Sequence, residues 1–180
     1  QGFATGFDQL LACGPHEIQV GILKGLPGAP IHRHCPDFGM IFNPLPPYDI
    51  LATDRIDFPA MQDMQRFARY WDMIANSGRF EYSLPLLLGQ APFARFFGLS
   101  DAIFRQAGRS HRISLPKLFE YIHQAAVEVL DVDRNQLEDA LVQDYLRTGQ
   151  KGRVPFLSQV GVKRARRGDH HVNRRQKRML

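Results

Sequence analysis

The sequence is poor in the features that usually assign a protein quickly. It has two cysteines, Cys13 and Cys35, in dissimilar surroundings, so no disulfide framework is expected and a reducing cytoplasm is the natural compartment. Long apolar runs are missing as well: stretches such as Leu86-Leu87-Leu88 fall far short of the ~20 residues that span a bilayer, which argues against a membrane segment. No basic region followed by an apolar stretch and small residues opens the chain, so a secretory signal is not expected. There is no phosphate-cradling glycine loop, no nucleophile elbow and no metal-binding histidine pair on one helical turn. A self-contained nucleotide enzyme or hydrolase is therefore unsupported. Gln1 is not an initiator methionine, and the expectation is a chain cut from a longer polypeptide.

What is present is enough for a core. The 180 residues are 44% hydrophobic, which places the chain in the range of one domain or two small ones. Its net charge of +5 is unevenly spread. Ten Lys and Arg against a single Asp fall between Lys151 and Leu180, leaving the preceding 150 residues mildly acidic. The pI of 9.5 thus describes a basic tail attached to an acidic body.

Periodicity divides the body. Phe3, Phe7, Leu10 and Leu11 have helical spacing and stop at Gly14-Pro15, and Glu17 to Lys24 reads as a strand with Ile18, Val20 and Ile22 on one face. One helix–strand unit cannot bury both its faces, so residues 1–30 are expected to be the last unit of a barrel or sheet. Residues 31–56 form a proline-rich connection with short strands at Phe38 to Phe42 and Tyr48 to Thr53. Residues 57–150 carry helical patterns: a helix from Phe58 capped by Asp57, then Phe80 to Leu88, Phe93 to Gln106, a helix capped by Ser114, and Arg134 to Arg147. Residues 151–180 are the basic tail, expected to be disordered. The fold class is mainly α with a short α/β N-terminal piece, a closing barrel unit followed by a helical accessory domain.

Candidate chemistry is thin. His32, His34 and Cys35 are the densest metal-type set, to which His16 or Asp37 can be added on paper, but zinc takes four ligands in spaced pairs and no second pair is visible. A polar loop that hydrogen-bonds its neighbours or touches a substrate anion through His32, Arg33 and His34 is the preferred reading. Cys13 and Cys35 lack a local pattern that would activate a thiol. Arg69 beside Tyr70 or Trp71 suggests base stacking, yet a solvated helix face explains these residues better. The tail attracts polyanions without sequence preference. A competing function is therefore a small helical module that holds RNA or another polyanion by this tail.

In combination, Ile18 to Lys24, Gly28-Ala29-Pro30-Ile31, Phe38-Gly39-Met40, Asn43-Pro44 and Pro46 to Leu51 resemble the end of cobalamin-binding radical SAM proteins. Arg66 to Trp71 and Asn76-Ser77-Gly78-Arg79-Phe80 resemble the C-terminal domain of unknown function, family 4080, appended to one branch of them. The resemblance implies that residues 1–30 end a radical SAM barrel and that the later helices are its accessory domain. It implies a 4Fe-4S cluster, S-adenosylmethionine and cobalamin for the full-length protein, none held by this chain alone, because the three-cysteine motif and the cobalamin domain are absent from it. The partner it implies is the N-terminal part of the same polypeptide, with an unknown substrate. Val20, Gly21 and Ile22 then become barrel wall beside bound S-adenosylmethionine, and the loop of His32, Arg33 and His34 closes over the substrate mouth.

Overall fold

The computed structural model describes residues 2–150, and the basic tail lies outside the described residues. The fold is mainly helical: α1 Gly2–Ala12, a 3-10 turn at Pro30–His34, α2 Cys35–Phe38, β1 Ile41–Phe42, β2 Ile50–Ala52, α3 Phe58–Ile74, α4 Leu84–Leu88, α5 Pro92–Ala107, α6 Leu115–Val129 and α7 Arg134–Arg147. Among the described residues no helix is long and apolar enough to cross a membrane.

Helix starts follow from local chemistry. Proline occupies the first turn of α3, α4, α5 and α6, where its missing N–H removes nothing from the helix. Asp57 accepts from the Ala60 N–H at 2.9 Å and Asp133 from the Gln136 N–H at 2.8 Å, and both are good N-caps. Ser114 holds the cap position of α6 but makes no side-chain cap bond, contrary to the sequence expectation.

The core runs through α3, α5, α6 and α7, and it also takes in Phe7 of α1 and Ile18. Phe7 meets Trp71 edge-on at 4.7 Å between ring centroids and Phe67 at 5.2 Å, while Trp71 meets Phe96 at 4.9 Å. Edge-to-face pairs of this kind contribute about 0.5–1.5 kcal/mol beyond their buried area. The first helix is thereby fixed onto α3 and α5.

Two polar groups tie the last helix in. Asp144, fully buried on α7, accepts from the N–H groups of Tyr82 and Ser83 at 3.0 and 2.9 Å and from the Ser83 hydroxyl at 2.7 Å. Burial pushes its carboxyl above the ordinary value, opposed by these donors. Glu138, also on α7, accepts from Arg134 at 2.9 Å and lies 2.8 Å from His123 Nε2 on α6.

Three expected elements differ. No strand forms over Glu17 to Lys24, because a ladder needs a partner and only the end of the segment has one: Lys24 bridges Asp49, with Gly25 N–H donating to Tyr48 O and Ile50 N–H to Leu23 O, each at 2.9 Å. The strand expected at Phe38 to Phe42 shrinks to Ile41–Phe42, since Phe38 ends α2 and Gly39 caps it in the left-handed conformation at φ +55°. The helix expected from Phe80 begins only at Leu84, because the turn before it is held by Asp144. β1 and β2 pair antiparallel, Ile41 with Ala52 and Phe42 with Ile50, with an irregular register between the two pairs.

Candidate functional site

The side chains from Ile18 to Leu23 alternate: Ile18 is buried, Val20 and Ile22 are half-buried, and Gln19, Gly21 and Leu23 are exposed. That is strand patterning without a ladder. The segment is held at its two ends only. At one end Asn76, just beyond α3, accepts from the Ile18 N–H at 3.3 Å and donates to the Ile18 carbonyl at 3.0 Å, a side-chain amide standing in for a neighbouring strand. At the other is the bridge to Asp49. Between them the backbone of Gln19 to Ile22 makes no backbone hydrogen bond among the described residues.

Opposite this open backbone lies a polar stripe of α3 and its end. Gln62, Gln65, Arg69, Asp72 and Asn76 fall at three- and four-residue intervals and so share one face. The groove between them has two lobes. One, of about 370 Å³, lies between Gln19–Ile22 and Gln65, Ala68, Arg69, Asp72 and Asn76. The other, of about 340 Å³, continues past Ile22 to Asp49, Arg66, Phe104 and Ser110.

Within the second lobe the charges are arranged unequally. Arg66 is held by Asp63 and lies 4.6 Å over the Phe104 ring, a cation–π contact. Arg69 has no ion pair or side-chain hydrogen bond among the described residues. Asp49 Oδ1 is buried with no hydrogen-bond partner. The loop that supplies Ser110 is fastened to α3 by Tyr70, whose hydroxyl donates to the Arg109 carbonyl at 2.9 Å. Burial pushes the Tyr70 phenol up to about 12, so it remains a neutral donor across the physiological range. Together the two lobes offer cations, amides, a hydroxyl and two carboxylates, Asp49 and Asp72, and neither cysteine nor histidine. Chemically, such a set suits hydrogen bonding and charge pairing rather than metal or thiol chemistry.

Val20, Gly21 and Ile22 all line the first lobe. His32, Arg33 and His34 line neither lobe; they sit on the 3-10 turn. There His32 Nε2 pairs with the Leu26 carbonyl at 3.0 Å, its ring packs edge-on to Phe42 at 5.5 Å, and Arg33 Nε donates to His34 Nε2 at 3.1 Å. Cys35 Sγ lies 4.0 Å from His32 Nδ1, and among the described residues no group of three or more His, Cys, Asp or Glu is placed to hold a metal ion. Cys13 is exposed and its thiol donates to the Gln9 carbonyl at 3.4 Å. Tyr70 and Trp71 are buried, so neither offers a face for a base beside Arg69. The polyanion reading falls on residues 151–180, outside the described residues.

Sequence reasoning missed the clamp at Asn76, the Tyr70 tether and Ser110. The polar spacing 62, 65, 69, 72, 76 was the available signal for the groove, masked because a polar stripe is also what a solvated face looks like.

Residues 36–179 match the family model described as Protein of unknown function (DUF4080). No curated protein and no solved structure matches the chain. The groove therefore joins a segment ahead of the matched span, Gln19 to Ile22, to a helix inside it.

Proposed function

Because the chain belongs to the DUF4080 family of proteins of unknown function, we propose that it is the C-terminal part of a radical SAM enzyme of the cobalamin-binding kind, contributing the closing strand of the barrel and a helical accessory domain. The observation that supports this reading is the open backbone of Gln19 to Ile22. It is extended, faces alternate ways and is docked at both ends, yet lacks the neighbour that a sheet would supply. An unpaired extended edge is normally covered, and a preceding barrel strand would cover this one.

In this reading Val20 and Ile22 face the accessory helix α3, and Gly21 faces the other way, toward the barrel interior. A Cβ placed on Gly21 would meet nothing within 4 Å, so packing within this chain does not require glycine there. The open space suits close approach of a ligand such as S-adenosylmethionine.

The residues of this chain do not fit an iron–sulfur cluster: it has two cysteines where the motif uses three, and they are separate in the sequence. No residue is assigned to the cluster or to cobalamin, and both belong in this reading to the upstream part of the polypeptide.

Amide exchange tests the proposal. The Val20, Gly21 and Ile22 amides are measured in this chain and in a polypeptide extended upstream along the native reading frame. The expected result is a frame that runs into a three-cysteine motif and protection of these amides that rises about a hundredfold or more on extension. A frame without that motif, or equal exchange in both proteins, overturns the reading.

A further inference from the structure

Three features meet in and beside the second lobe of the groove. The first is free cationic charge. Arg69 lines the lobe, Arg109 adjoins its lining residue Ser110, and Arg112 lies two residues further, within about 7 Å of chain. None of the three has an ion pair among the described residues, whereas Arg66, Arg105, Arg134 and Arg147 are each held by a carboxylate. The second is a fixed loop. The Tyr70 hydroxyl holds the Arg109 carbonyl, and Arg112 sits in the left-handed region at φ +54°, a conformation that costs a non-glycine residue about 1 kcal/mol and that the surrounding structure must impose. The third is Asp49 Oδ1, buried and without a donor. A buried carboxylate oxygen left unpaired destabilises the free protein, and a hydroxyl from a ligand would relieve that.

We infer that this lobe binds a small phosphorylated ligand bearing a hydroxyl group, with the phosphate on Arg69 and the Arg109–Arg112 loop and the hydroxyl donating to Asp49. Guanidinium groups match phosphate oxygens in pairs, and a dianion needs more than one of them. A second anionic group near Asp49 would be repelled, so the far end of the ligand is neutral and donates. The lobe, at about 340 Å³, is at the lower end of the range for small-molecule sites, which suits a ligand of sugar-phosphate size. The site needs no upstream strand, so its fate is separate from that of the barrel reading.

The full chain is titrated calorimetrically with inorganic phosphate and with ribose 5-phosphate. Ribose 5-phosphate is expected to bind at one site at least about tenfold more tightly than inorganic phosphate. R69Q should weaken both ligands by about tenfold or more, and D49A should reduce ribose 5-phosphate to the affinity of inorganic phosphate while leaving the latter unchanged. R69K, which keeps the charge but loses the paired donors, should fall between the wild type and R69Q, and it serves if R69Q does not fold by circular dichroism. The basic tail is present in every variant. Phosphate binding that ignores R69Q and R69K belongs to that tail and overturns the assignment, as does the absence of saturable binding by ribose 5-phosphate.

Discussion

Replacing Asn76 by alanine removes both partners of the Ile18 backbone in one step. Two outcomes compete. If the segment stays docked, a buried N–H and a buried carbonyl are left unsatisfied, destabilising the fold by about 1–3 kcal/mol each. If it lets go, the loss is the burial of Ile18, about 1.5–3 kcal/mol, offset by about 1–2 kcal/mol of backbone freedom for each residue released. Release is the cheaper route. The expected N76A protein therefore has an intact helical core with a loose arm before Lys24, and its global unfolding free energy falls by no more than about 3 kcal/mol. Limited trypsin digestion reads the arm, because Lys24 lies at its docked end. Cleavage there should accelerate by about tenfold or more, while urea unfolding followed by far-UV circular dichroism keeps a single transition. N76D sharpens the test: its protonated form restores a donor and an acceptor, so protection at Lys24 should return as pH falls, relative to N76A at the same pH. Wild-type trypsin resistance and an unchanged urea midpoint in N76A would refute the clamp.

Two glycines in the same arm should behave oppositely. A Cβ on Gly25 would lie 2.6 Å from Phe42 Cγ and 2.9 Å from the His32 ring, so G25A should destabilise by about 1–3 kcal/mol, whereas G21A, with nothing within 4 Å, should stay within about 0.5 kcal/mol. Thermal melts of both variants check this, and equal shifts would count against the packing described for Gly25. At Glu138 the hydrogen bond from Arg134, opposed by burial and reinforced by the one with His123, holds the carboxyl below its ordinary value. As pH drops past that ordinary value, about 4.5, the unfolded chain takes up the proton first, so the stabilisation is present above it and is lost as pH falls through the lower folded value. E138Q should flatten this acid limb in urea midpoints measured from about pH 6 downward, and parallel limbs in the two proteins would show that Glu138 is not responsible.

The helices were largely legible because their determinants are local. Arg134–Arg147 follows from Leu137, Leu141 and Tyr145 behind an Asp133 cap, and Phe58–Ile74 from Asp57, Pro59 and the stripe through Phe67, Trp71 and Ile74. Tyr70 was harder to place, since it lies beside that stripe, and it is buried with its hydroxyl on the loop after α5. Elements whose boundaries depend on distant partners were misread. The turn at residues 81–83 is set by a carboxylate about 60 residues away, and Ile18 by an amide 58 residues away. Glu17 to Lys24 was read correctly as extended and two-faced, but a ladder is a property of two segments, and only Lys24 finds one. The groove was the least legible, for its walls come from four stretches, Gln19 to Ile22, Asp49, Gln62 to Asn76, and Phe104 to Ser110, whose meeting no spacing records.

The Asp144 lock has a consequence in time. During synthesis, Tyr82 and Ser83 leave the ribosome about 60 residues before the carboxylate that pairs with their amides. Until α7 emerges, that turn waits with its donors unmatched and the face of α6 that α7 will cover open to solvent. A nascent chain stalled in this interval would offer chaperones and proteases a ready handle, and the acid of one late residue would mark the moment when that handle is withdrawn.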